Sequence, residues 1–178
     1  YSNDFSNRKF AFDATTKLTR VLAYQMNVPF RAMGEYHLEA LEEQPPKLLI
    51  VPSAHNFSKE ATEKIFHYVK KTGATLLWTG PLGLDEYWKH SQKLTEQLGD
   101  YQLSNVVREE VLTIDGIDYP VSFGDRRIGE VNKEIACKNT NLVEIAIGKG
   151  TLLWSPLPIE LNERTDVLIA LYQKALSG

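Results

Sequence analysis

The sequence predicts an α/β fold: a three-layer sandwich around a mostly parallel sheet, with antiparallel hairpin additions. Three observations carry that expectation. Two short apolar runs, Lys47-Leu48-Leu49-Ile50-Val51 and Ala74-Thr75-Leu76-Leu77-Trp78-Thr79, have the continuous character of strands covered on both faces. Between them lies a segment whose apolar residues recur at helical spacing. Two glycine-containing turns, Asp115-Gly116 and Gly148-Lys149-Gly150, each join a pair of strand-like runs.

Taken in order, Asp13 to Gln25 reads as a helix with Leu18, Val21 and Leu22 inward. Val28-Pro29-Phe30-Arg31-Ala32 follows as a short strand joining the sheet. Gln44-Pro45-Pro46 breaks the chain ahead of the first buried run. Ser58 then caps a helix reaching Lys71, with Ala61, Ile65, Tyr68 and Val69 as its apolar stripe. Gly73 stands where a helix commonly ends in the left-handed conformation. Strand, helix and strand with short joints form a βαβ unit, whose strands are expected to be parallel.

Ser91 to Leu98 closes a further helix before Gly99. Glu110–Ile114 and Ile117–Val121 then form a hairpin across Asp115-Gly116, a pair that favours the tight primed turn. Leu142–Ile147 and Thr151–Trp154 form a second hairpin. Asn162 is placed as the cap of a last helix that buries Val167, Leu168, Leu171, Tyr172 and Ala175.

Composition narrows the function classes. The chain has 178 residues, 43% hydrophobic and 24% charged, enough for one domain, residues 1–178, with a sizeable core. Its net charge is -3, and its basic doublets, Arg8-Lys9, Lys70-Lys71 and Arg126-Arg127, are scattered along the chain. There is no basic stripe to displace counterions from nucleic acid, and no lysine-rich helix face for a membrane surface. The longest apolar runs are far too short to span a bilayer. One cysteine, Cys137, permits no internal disulfide and no metal spacing, which fits a reducing, cytoplasmic compartment. The opening Tyr1-Ser2-Asn3-Asp4 reads as the loop after a missing strand, so a longer parent chain is expected.

Open parallel sheets bind ligands beyond the carboxyl ends of their strands. That places Ser53, His55 and Gly80 at the candidate crevice, from the stretches Pro52–His55 and Gly80–Gly83. A strand-to-helix elbow can expose a nucleophile, but Pro81 and Leu82 occupy the elbow and neither can attack. Cys137, in Lys133–Lys138, has no neighbouring histidine and reads as a small strand residue. Glycoside hydrolysis needs two carboxyl groups facing each other across roughly 5–10 Å. Glu109 and Glu110 point to opposite faces of one strand, while Glu160 and Glu163 read as solvated or capping acids near a helix start. Gly148-Lys149-Gly150 lacks phosphate-loop spacing and joins strands. Trp78 belongs to a buried strand; Tyr87 and Trp88 are the surface aromatics suited to a sugar ring or a partner. No metal or cofactor is expected. His55 or Cys137 as the base or nucleophile of a small hydrolase, and the crevice as a carbohydrate or small-anion module, are the competing expectations.

Two stretches carry a family resemblance. Lys47-Leu48-Leu49-Ile50-Val51-Pro52-Ser53, followed by Phe66-His67-Tyr68-Val69-Lys70-Lys71-Thr72-Gly73-Ala74-Thr75-Leu76, resembles the second domain of family-42 β-galactosidases. That domain is similar in fold to class I glutamine amidotransferases, which are flavodoxin-like. Gly150–Leu161 resembles the segment that ends the domain in related glycosidases. The resemblance implies a non-catalytic accessory domain beside a catalytic barrel of the same parent chain, in a homotrimer. The catalytic glutamates of that family lie in the barrel, and 178 residues without an eight-fold β/α rhythm do not contain one. No catalytic residue is therefore carried over. Leu82 stands near the place of the amidotransferase nucleophile, a departure that argues against glutaminase chemistry.

Overall fold

The computed structural model describes residues 16–27, 38–43, 45–52, 59–80, 101–105, 109–123, 132–136 and 142–177. Residues 16–20 are helical and widen into a π-turn over Val21–Gln25, where the Met26 amide reaches back to the Val21 carbonyl at 2.9 Å. We call this helix α1. After a short helix α2 (Ala40–Glu43) come β1 (Leu48–Val51), α3 (Lys59–Thr72) and β2 (Thr75–Thr79). There follow β3 (Tyr101–Asn105), β4 (Glu109–Ile114), β5 (Ile117–Ser122), β6 (Asn132–Ala136), β7 (Val143–Ile147) and β8 (Gly150–Ser155). A 3-10 turn over Ile159–Leu161 leads into α4 (Asp166–Ser177).

The main sheet has the order β1-β2-β8-β7. β1, β2 and β8 run parallel, and β7 returns antiparallel at one edge. Two further antiparallel pairs, β3 with β6 and β4 with β5, stand outside it. The expected α/β sandwich with hairpin additions is thus the observed architecture. Strand alternation divides the core in two. Leu76, Trp78, Leu152 and Trp154 pack under α2 and α3 with Leu41, Ile65, Phe66 and Val69. Leu77 and Leu153 point the other way, to Val21 and Leu22 of α1, Leu112 and Val121 of the β4–β5 hairpin, and Val167, Leu168, Leu171 and Tyr172 of α4. Both faces of the central strands are therefore covered. That is why β2 is buried at every position and its sequence shows no polar alternation.

β1 corrects one expectation. Leu48, Leu49 and Ile50 are half-buried and only Val51 is buried, because β1 ends the strand order among the described residues. The apolar stripe expected on α3 is buried as read, with Thr62 and Phe66 added to it. Tyr68 uses its hydroxyl to reach the Pro46 carbonyl at 2.8 Å, tying the helix to the start of β1. The helix stops at Gly73, whose φ is +77°.

Both hairpins form as the turns demand. Asp115 and Gly116 have φ of +50° and +80°, the two positive values a primed two-residue turn requires. Of the stretch Lys133–Lys138, in which Cys137 is expected as a strand residue, Lys133–Ala136 belong to β6 and Cys137 lies outside the described residues. Lys174 of α4 spans the two hairpins, 2.6 Å from Asp115 Oδ1 and 3.7 Å from Glu144 Oε2. The hydrogen bond to Asp115 is the main reason its pKa lies above the ordinary lysine value, against an opposing effect of burial. Since both carboxylates are well exposed, Lys174→Ala is expected to cost only about 0.5–1 kcal/mol in urea unfolding, much of it lost in high salt.

Among the described residues no helix is long and apolar enough to cross a membrane. The strand through Val28–Ala32, the Ser58 cap and the helix from Ser91 to Leu98 lie outside the described residues.

Candidate functional site

The parallel strands β2 and β8 end side by side, with Thr79 in register with Ser155. Gly80, the next residue, donates its N–H to the carbonyls of Ser155 at 2.9 Å and Leu157 at 3.2 Å. Its own carbonyl accepts from Trp154 Nε1 at 2.9 Å. Gly80 is buried, and both its backbone groups are engaged within the chain. Ser53 and His55, the other candidate ligand residues, lie outside the described residues, as do Pro81, Leu82, Tyr87, Trp88 and Cys137. His67 is on the solvent side of α3.

Beyond the strand ends, residues 156–158 form a buried irregular segment that runs into the 3-10 turn. A buried segment without regular structure has backbone groups to satisfy. The chain supplies partners locally: the Leu157 amide reaches Ser155 Oγ at 3.3 Å, and the 3-10 turn closes with Leu161 N to Pro158 O at 2.9 Å.

The polar centre of this region is Glu160, only 1% exposed. Thr79 Oγ1 donates to its Oε2 at 2.6 Å, and Tyr172 Oη donates to its Oε1 at 3.0 Å. One carboxylate thus joins the end of β2, the 3-10 turn and α4. This overturns the expectation of a solvated or capping acid, which fits only Glu163, an exposed residue. The turn that follows β8 carries the Glu160 side chain inward, where the two hydroxyls replace its water.

Asn162 also departs from its expected role. α4 begins at Asp166, too far on for Asn162 to cap it. The Asn162 amide instead accepts from the Ser122 N–H at 2.9 Å and donates to the Arg164 carbonyl at 2.8 Å, pinning the end of β5. Thr165 occupies the cap position, its carbonyl accepting the Ile169 amide at 3.0 Å. Lys17 of α1 donates its ammonium to the Asn162 carbonyl. Burial lowers the Lys17 pKa, with Arg20 acting in the same direction and Glu163 and Glu160 opposing.

Tyr172 has its pKa held well above the ordinary phenol value, first by burial, then by the charge of Glu160 and the hydrogen bond to it. The sign of the pH dependence follows. Below the unfolded value of 10.0 the phenol is neutral in both states and its contribution is intact. Above it the unfolded chain loses the proton while the folded chain keeps it, so stability falls. Urea unfolding is expected to show wild type losing up to about 1.4 kcal/mol per pH unit more than Tyr172→Phe above roughly pH 10. Parallel alkaline profiles for the two proteins would refute the assignment.

Chemically, the cluster is a clamp. Both Glu160 oxygens are occupied and the residue is sealed from solvent, so a substrate has no access to it as a general acid or base. Among the described residues no group of three His, Cys, Asp or Glu side chains could hold a metal ion.

No family model and no curated protein sequence matches the chain. Solved structures do. The chain is similar to Gan42B, a GH42 β-galactosidase from G. stearothermophilus, with a TM-score of 0.62 and 13% identity, over 93% of this chain and 25% of that one. A catalytic mutant of the same enzyme gives a TM-score of 0.49 at 15% identity, over 74% of this chain and 21% of that one. The exo-β-1,4-mannosidase Op5Man5 from Opitutaceae bacterium strain TAV5 gives 0.46 at 12% identity, over 73% and 24%. At such identity the first likeness establishes the fold alone: this sandwich is one that occurs as part of a GH42 β-galactosidase. The chain spans a quarter of that enzyme's length.

Proposed function

We propose that the chain is a non-catalytic accessory domain of a larger, β-galactosidase-like glycoside hydrolase, serving assembly beside a catalytic barrel of the same parent. The observation that carries the reading is the fold likeness, which takes in 93% of this chain but 25% of the glycosidase chain. Two local features support it. The ends of β2 and β8 are closed by the chain's own groups around Gly80 and Glu160. Pro81 and Leu82 supply no nucleophile at the elbow. The second-domain assignment, its amidotransferase-like relationship, a homotrimeric parent and a cytoplasmic location belong to the same proposal. A carbohydrate or small-anion crevice at Ser53, His55 and Gly80 is the competing reading, and the engaged backbone groups of Gly80 do not favour it.

The test is to express residues 1–178 alone and to assay them on a nitrophenyl β-galactoside beside the full-length parent protein. A cooperatively unfolding but inactive domain, with activity in a trimeric parent, is the expected result. Hydrolysis by the isolated domain, retained after purification from a host lacking β-galactosidase, would overturn the proposal.

A further inference from the structure

We draw no further inference here: the strongest candidate, the surface groove between α2 and α3 lined by Leu41, Glu60, Lys64, His67, Tyr68 and Lys71, carries nothing because nothing in the structure shows what covers it.

Discussion

Glu160→Ala is expected to be the most damaging single polar substitution in this domain, lowering stability by roughly 3–5 kcal/mol. The Glu160 side chain is 1% exposed, so its removal opens a void that solvent does not fill from outside. It also takes the carboxylate acceptor from two donors, the Thr79 hydroxyl at 2.6 Å and the Tyr172 hydroxyl at 3.0 Å. Each buried hydroxyl left without an acceptor costs about 1–3 kcal/mol, and the cavity adds to that. Against a total of about 5–15 kcal/mol for a domain, such a loss leaves the fold marginal at body temperature.

The chemistry of the effect can be separated from its volume. Glu160→Gln keeps the shape and an acceptor for one hydroxyl. The other meets an amide donor and can rotate to accept from it, so a loss of about 1–2 kcal/mol is expected. Combining Glu160→Leu with Thr79→Val and Tyr172→Phe removes donors and acceptor together. It is expected to recover much of the loss, because matched apolar groups can replace a buried polar network at little cost. Chemical unfolding of the series decides the matter. A Glu160→Ala variant within about 1 kcal/mol of wild type would mean that the clamp does not hold α4 to the sheet.

That clamp marks where the sequence stopped being legible. The βαβ unit could be read because burial on both sheet faces forces an unbroken apolar run, and Leu76-Leu77-Trp78 has no other comfortable environment. Both hairpins could be read because Asp115-Gly116 and Gly148-Lys149-Gly150 meet local backbone demands. Glu160 could not. A glutamate is almost always solvated, and its partners lie 81 and 12 residues away in the chain. Asn162 suggested a cap because such residues commonly start helices, but the cap preference says nothing about Ser122, brought in by a strand 40 residues earlier. The exposure of β1 depends on its place in the strand order, which the run Leu48–Val51 does not encode. β3 pairs with β6 across the intervening β4–β5 hairpin, a long-range pairing that neither YQLSN nor NKEIA encodes locally. As for the site, the strand-end rule placed Gly80 at the right edge of the sheet. It did not reveal that Ser155, Leu157 and Trp154 already hold that residue's backbone.

The second large effect is steric and falls on Gly150. The β7–β8 turn lies against the end of α3, where the Lys149 amide reaches the Lys70 carbonyl at 3.1 Å. Through that bond the hairpin supplies a donor to the helix end, and two residues on the Thr151 amide bonds the Ala74 carbonyl at 3.2 Å. Contact this close leaves no room for a side chain. A Cβ on Gly150 would meet the carbonyl oxygens of Val69 and Ala74 and Val69 Cγ1, each at 2.5 Å. Two of those three atoms are backbone, so relief requires moving the helix end or the hairpin. Overpacking of that kind costs about 1–3 kcal/mol, and loosening the two amide bonds adds about 1 kcal/mol each. Gly150→Ala is therefore expected to lose roughly 3–5 kcal/mol, a fall in Tm of about 10–15 °C for a chain of this size. Gly116→Ala is the matched control. Its φ is +80°, but an added Cβ there meets nothing within 4 Å, so it bears only the backbone penalty of about 1–2 kcal/mol. Thermal unfolding of the two variants side by side distinguishes the causes. If the two Tm losses were equal, the close approach of hairpin to helix would not be what excludes a side chain at Gly150.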